Sequence, residues 1–292
     1  MRETLDVDIL IVGGGPAGMS AALRIAQLQQ EKGGEPLAIA VLDKAREPGA
    51  HMLSGAVLDP SALRQLIPDF EARGAPLASP VLRDEVYFLT ESTKLKFPIT
   101  PPPMNNHGNY IISLSRFVKW LGAEVEAAGI DLFSGFAASE VLYDGSTVAG
   151  VRTGDRGVSR HGGKRGNFEP GVDIRAKVTI FCDGVRGNLT KALIRTLALD
   201  EGRQPQMYAL GIKELWEVPK DRIAAGTVIH SMGYPLRQEE FGGMFLYAMP
   251  DGLVSTGLVT GLDYKDPMFD PHLAYQRAKQ HPLFAGILQG GT

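Results

Sequence analysis

The sequence predicts an α/β protein: a parallel-sheet, dinucleotide-binding domain near the N-terminus, followed by a second region rich in β-strands. Three observations predict it. The run Asp8-Ile9-Leu10-Ile11-Val12-Gly13-Gly14-Gly15-Pro16-Ala17-Gly18 reads as a buried strand, a glycine turn and the opening of a helix. A second apolar run, Leu37 to Leu42, ends in Asp43. Beyond about residue 200 the apolar segments recur at the spacing of a β-meander.

Each element follows in order. Gly13, Gly15 and Gly18 form G-x-G-x-x-G. In that pattern the first glycine permits a tight turn, the second lets the backbone approach a pyrophosphate, and the third lets the helix pack on the strand. The helix, from Ala17 to about Gln30, has Pro16 at its start and closes at Gly33-Gly34. Its N-terminus offers unpaired N–H groups and a positive dipole end to phosphates. Asp43 stands where a carboxylate accepts hydrogen bonds from ribose hydroxyls, and its charge repels a 2′-phosphate. The segment Pro48 to Pro60 mixes small residues with His51 and Ser54 and has no helix or strand period. Gly49, Gly55 and their neighbours would let it lie against a flat ligand, and Asp59 would cap a short helix from Pro60.

Val86 to Phe97 reads as two short strands. The stretch Phe97 to Gly108 is rich in proline and holds Phe97, Ile99 and Met104 without an acid. Prolines keep it out of a ladder or a helix. It is either a loop packed on its own domain or a loop that dips into a membrane surface, with Lys94 and Lys96 at its edge. A helix is expected from Ser115 to about Ala128, then strands near 131–133, 138–143, 148–153 and 178–182. The last ends in Asp183-Gly184, a second turn able to touch the dinucleotide, and runs into a helix from Leu189. Glycine-rich, charged stretches at 154–171 and 202–206 read as solvated loops. Strands are expected at 208–218, 226–231, 243–248 and 253–259, and a helix near 272–280, with no closing element after it. The domains are thus expected at 1–200 and 201–292.

Composition narrows the function. A net charge of −3 supplies no global field for nucleic acid, so no nucleic-acid partner is expected. One cysteine, Cys182, excludes an internal disulfide framework and a cysteine-built metal site within this chain. No apolar run reaches the ~18 residues of a membrane-spanning helix, and no signal peptide is expected before the first strand. No G-x-S-x-G, H-E-x-x-H, P-loop or C-x-x-C motif is present. The histidines are scattered, so no catalytic side chain and no metal ligand is assigned. The chemistry then belongs to a bound dinucleotide, and a flavin fits best, because flavin electron transfer needs proximity rather than a protein acid–base pair.

Several blocks make the pattern specific: Gly49 to Pro60, Pro103 to Ile111, Gly211 to Val218, Phe241 to Tyr247, and Gly257 to Tyr264. In these blocks, taken in order, the chain resembles the electron-transfer flavoprotein–ubiquinone oxidoreductases. The resemblance implies a glutathione-reductase-type FAD/NAD(P)-binding fold with an inserted β-sheet-rich quinone domain. It implies electron transfer from reduced electron-transfer flavoprotein to ubiquinone through FAD and a 4Fe–4S cluster. By this likeness Gly13, Gly15, Pro16, Ala17, Gly18 and Asp43 would hold the ADP half of FAD. His51, Ser54 and Gly55 would lie beside the flavin, Asp183 and Gly184 would also contact the cofactor, and Gly242 and Gly243 would meet the quinone. The proline-rich segment would be part of a peripheral membrane contact, on the cytoplasmic face of a bacterial inner membrane or, in a eukaryote, on the mitochondrial inner membrane. The chain departs from the family at Asp43 (commonly Glu), Cys182-Asp183 (commonly Ala-Glu) and Met244 (commonly Ser). The family's cluster cysteines have no counterparts here, so the chain is expected to be an N-terminal portion. Alternatives are another FAD enzyme, of hydroxylase or geranylgeranyl reductase type, or an inactive truncated FAD-binding module.

Overall fold

The computed structural model describes residues 2–53, 55–77 and 79–292. Along the chain run β1 (Thr4–Val12), α1 (Pro16–Lys32), β2 (Ile39–Asp43), β3 (Ala56–Leu58), α2 (Ser61–Leu66), β4 (Ser79–Pro80), β5 (Arg83–Leu89), β6 (Lys94–Lys96) and β7 (Tyr110–Ile112). Then come α3 (Leu114–Ala127), β8 (Asp131–Ser134), β9 (Ala138–Asp144), β10 (Thr147–Thr153), β11 (Arg156–Val158), β12 (Lys164–Glu169), β13 (Asp173–Phe181) and α4 (Asn188–Leu197). The remainder is β14 (Ala209–Glu217), β15 (Thr227–Gly233), β16 (Gly242–Ala248), β17 (Leu253–Gly261), α5 (Pro271–Lys279) and α6 (Pro282–Leu288). The chain divides into two compact units, 1–52 with 115–204 and 53–114 with 205–292.

The first unit is built on a six-stranded sheet in the order β8-β2-β1-β13-β10-β9. The four strands β8, β2, β1 and β13 are parallel, and β10 joins β13 antiparallel. Burial explains the apolar runs: Leu10, Val12, Ala40, Leu42, Val151, Ile174 and Leu189 form one core cluster. Arg152 forks onto Asp173 through Nε and Nη2 at 2.6 and 2.9 Å, tying β10 to β13 with a bidentate pair. That guanidinium holds the Asp173 carboxyl below the usual range.

The second unit is a six-stranded sheet, β14-β17-β16-β15-β5-β6, with α5 and α6 packed on one face. That core joins Leu246, Leu258 and Ile229 to Tyr275 and Phe284, and the Tyr275 hydroxyl donates to the Thr256 carbonyl at 3.2 Å. Val228 lies in a smaller cluster with Val81, Ile111 and Met249, where the three-stranded sheet β3-β7-β4 contributes Val57 and Ile111.

The structure differs from the sequence reading in four places. Residues 53–114 belong with the second unit instead of lying inside a 1–200 domain, because β5 pairs in parallel with β15 from Arg83↔Thr227 to Leu89↔Gly233. A pairing between such distant segments leaves no local trace. The stretch 154–171 contains the antiparallel pair β11–β12, largely exposed and without a hydrophobic alternation to announce it. The segment from Pro48 to Pro60 includes β3, which pairs with β7. After α5 the chain forms α6 and then exchanges two backbone hydrogen bonds of 3.0 Å between Thr292 and Glu217, so an ordered element does follow the helix near 272–280.

Phe284 is fully buried in the core of the second unit. Phe284→Ala is expected to cost about 3–5 kcal/mol, measured as a lowered denaturation midpoint, and a loss below ~1 kcal/mol would contradict this packing.

Candidate functional site: a dinucleotide cleft

The carboxyl ends of β1, β2, β8 and β13 point to one edge of their sheet, where ligands of open parallel sheets bind. A cavity of about 470 Å³ lies there. It brings together Gly13, Gly15, Pro16, Ala17, Asp43, His51, Asp183 and Gly184, eight of the residues assigned from sequence. The glycines divide the work. Gly13 has φ +112°, and a Cβ there would run into the Cys182 carbonyl oxygen. A Cβ at Gly18 would run into the Gly13 carbonyl oxygen, so Gly18 supports the turn from behind without lining the cavity. Gly15 is different. Its φ of −81° suits any residue, and a Cβ there would meet only the Met52 methyl at 3.4 Å. The protein leaves space at Gly15, so nothing in the chain itself demands a glycine there.

Helix α1 begins at Pro16 with no side-chain cap and no acid in its first turn. Its first N–H groups and positive dipole end are therefore available to an anion at the cavity wall. Asp43 ends β2. Its Oδ2 accepts from Gly14 N at 2.6 Å and its Oδ1 from Ala45 N at 2.7 Å. These bonds orient the carboxylate and leave each oxygen a second lone pair. Asp183 lines the cavity and caps α4, accepting from Leu189 N at 3.1 Å, Thr190 N at 3.3 Å and the Thr190 hydroxyl. Beside it, burial pushes the half-buried Cys182 thiol up in pKa, which makes it a poor nucleophile.

Two assigned residues stand apart. Ser54 lies outside the described residues. Gly55 falls in the second unit, at φ +86°, where a Cβ would strike the Ser255 side chain, and it does not line this cavity. The sequence reading missed Phe136, Ala137 and Ala138 as lining residues. The available signal was β8: a strand parallel to β2 must deliver its following residues to the same edge.

The second unit has features of its own. Gly242 has φ +146°, and a Cβ there would meet the Val259 carbonyl oxygen; one at Gly243 would meet that of Ser231. β16 pairs with β17 from Gly242 onward but with β15 only from Met244 onward. The side of Gly242-Gly243 that faces β15 therefore has no ladder pair. Further along this sheet, burial lowers the His230 pKa, with Asp84 pulling weakly the other way. His230 Nε2 lies 3.5 Å from the Tyr247 hydroxyl, whose pKa is pushed up to about 12 by burial and then by Asp84.

The fold and the cleft define a Rossmann-like dinucleotide-binding class. Residues 11–72 match the NAD(P)-binding Rossmann-like domain model, and residues 208–292 match the ETF-QO, ubiquinone-binding model. Solved structures agree in fold: a geranylgeranyl bacteriochlorophyll reductase-like protein from Thermoplasma acidophilum aligns with a TM-score of 0.70 at 19% identity, over 99% of this chain and 64% of that one. A myxobacterial FAD-dependent chondrochloren halogenase aligns at 0.65 with 18% identity, over 99% of this chain and 61% of its own. In sequence the chain is 46% identical to the mitochondrial electron transfer flavoprotein–ubiquinone oxidoreductase of Dictyostelium discoideum, over 100% of this chain and 48% of that protein. The Arabidopsis thaliana relative is 45% identical over 100% and 46%, and the Homo sapiens relative 44% over 99% and 48%. Over essentially its whole length the chain is similar to electron transfer flavoprotein–ubiquinone oxidoreductases, and it spans about half the length of the curated relatives it matches.

Two outcomes test these assignments. Gly15→Ala is expected to unfold at the wild-type temperature yet bind FAD about tenfold or more weakly, ~1.4 kcal/mol, in an equilibrium titration; unchanged affinity would contradict the close approach. For His230, the folded-state pKa is below its ordinary value of 6.5. Its contribution to stability is then complete above that value and is lost as pH falls through it toward the folded-state pKa. Histidine NMR should show His230 titrating below that value, and lower still in Asp84→Asn.

Proposed function

We propose that this chain carries FAD in the cleft of its first unit, presents a quinone surface in its second, and so takes part in electron transfer from reduced electron-transfer flavoprotein to ubiquinone. The observation that carries this is the 44–46% identity over essentially the whole chain to proteins bearing that name. The cleft fits the cofactor: a glycine with unused space at Gly15, an uncapped helix start for a pyrophosphate, and an oriented Asp43 for ribose hydroxyls. FAD, when bound, supplies the redox chemistry, accepting electrons from one partner and passing them to the other. The chain's own residues bind and orient it. Gly13, Gly15, Pro16, Ala17 and the first turn of α1 hold the phosphates, while His51, Asp183 and Gly184 close the cavity wall. A 4Fe–4S cluster needs several thiolates. This chain has one cysteine, so its residues do not fit that group.

The quinone reading rests on the glycine pair. The lack of side chains at Gly242 and Gly243 is already required by the chain, since a Cβ at either would strike the Val259 or Ser231 carbonyl oxygen. Both lie past the last pair of β16 with β15, at the strand end where a quinone would meet backbone. Beside it, a cavity of about 430 Å³ is lined by Met207, Tyr208, Phe241, Gly261 and Leu262. Phe241 and Met207 are 74% and 92% exposed, an apolar margin suited to a prenyl tail. Among the described residues no helix is long and apolar enough to cross a membrane. The proline-rich segment instead supports a peripheral contact: Leu95 and Ile99 are 69% and 80% exposed, with Lys94 beside them.

The test is turnover by the full-length protein. Reduced electron-transfer flavoprotein should drive reduction of a short-chain ubiquinone, and NADPH should not replace it; NADPH-driven turnover of an organic substrate would overturn the reading. For the membrane contact, Ile99→Glu should lower co-sedimentation with liposomes, and unchanged binding would contradict it.

A further inference from the structure

Lys213 carries a positive charge on the edge strand of the second unit's sheet. It lies mid-strand in β14, half-buried, with its pKa lowered by that burial alone. Its ammonium donates to the Gly55 carbonyl oxygen and lies 5.7 Å from the centre of the Phe245 ring. Among the described residues, no carboxylate pairs with it. The next residue shows what a neutralised charge in this strand looks like. Glu214, on the opposite face, accepts from Lys279 Nζ at 2.7 Å and Trp216 Nε1 at 2.8 Å. Holding an ammonium partly out of water without a counter-charge costs free energy, and one hydrogen bond to a neutral carbonyl offsets only part of that cost.

Strand register says what this charge faces. Lys213 lies opposite Gly257, Gly257 opposite Phe245, and Phe245 opposite His230, so these residues form one row across the sheet. Residues two apart on a strand share a face, which places Gly243 on the same face as Phe245, and Gly211 on the same face as Lys213. Gly211 is exposed, and a Cβ there would meet only Val259 Cγ2 at 3.8 Å. The face that carries Gly243 therefore presents a flat, glycine-rich and aromatic surface with an uncompensated cation at its side.

We propose that Lys213 stabilises the negative charge that develops on a quinone as it is reduced over this face. This rests on the quinone-reduction reading above. One electron from the reduced cofactor converts the quinone to its radical anion. A second electron from the same reduced cofactor and two protons from water complete the quinol, forming two O–H bonds. The oxidised quinone is neutral and gains little from Lys213, whereas the anion is attracted by an ammonium in a partly desolvated setting. Such a group acts on turnover more than on substrate binding.

Three variants of the FAD-loaded full-length protein test this. Lys213→Met removes the charge and the hydrogen bond, Lys213→Gln keeps a donor for Gly55 without the charge, and Lys213→Arg keeps both. Met and Gln should lower kcat for quinone reduction by about tenfold or more, in the range of lost electrostatic stabilisers, with KM for quinone changed less than twofold. Both should also diminish the quinone radical signal seen by electron paramagnetic resonance at partial reduction, and Arg should retain most of each. Wild-type kcat and radical signal in Lys213→Gln, even with Lys213→Met impaired, would show that the side chain only tethers Gly55 and would overturn the proposal. If the wild-type protein reduces no quinone, the functional reading fails and this inference with it; if it does and Lys213→Gln matches it, only the assignment of Lys213 fails.

Discussion

The close contact between Gly13 and its surroundings is the constraint on which the cleft depends. Two positions without a side chain, Gly13 and Gly18, let the turn after β1 pass against the Cys182 carbonyl and let α1 settle onto that turn. A methyl group at either would push the helix away from the sheet. With the helix seated, its uncapped first turn stands at the carboxyl edge of four parallel strands, and Asp43 from the neighbouring strand is fixed by Gly14 N. The open helix start and the oriented Asp43 carboxylate thus follow from one backbone geometry. Gly13 and Gly18 are required by the chain itself, whereas Gly15 is not and borders the open cavity.

The second unit works on a different principle. Its sheet is thick with apolar side chains on the face covered by α5 and α6, where Leu246, Leu258, Tyr275 and Phe284 are buried. The other face carries Lys213, Phe245, His230 and Tyr247, with Phe245 and Tyr247 stacked at 4.8 Å between ring centres. Polar groups on a half-buried sheet face cost stability. Their grouping on the face of Gly243 brings aromatic rings and a charge onto one surface.

Much of this was legible in the sequence because it is local. The glycine turn, the apolar strands and Asp43 announce themselves within a few dozen residues, and the cavity gathers them as that pattern demands. Residues 53–114 were not legible, because what assigns them to the second unit is the β5–β15 pairing, a long-range contact with no periodic signature. Phe136 to Ala138 escaped for a related reason: their place in the cleft follows from β8 joining β2 in parallel. Asp183 shows the limit of motif reading. Its position after β13 marks the cleft, but its carboxylate is committed to capping α4. Lys213 sits within a family-like block, yet only burial and register distinguish it from the paired Glu214 beside it.

The most direct measurement is a crystal structure of the protein with FAD bound. The account predicts the pyrophosphate within hydrogen-bonding distance of the first turn of α1 at Gly15, and the adenosine ribose beside Asp43. A dinucleotide bound elsewhere, or one whose pyrophosphate avoids the Gly13–Gly15 turn, would contradict it.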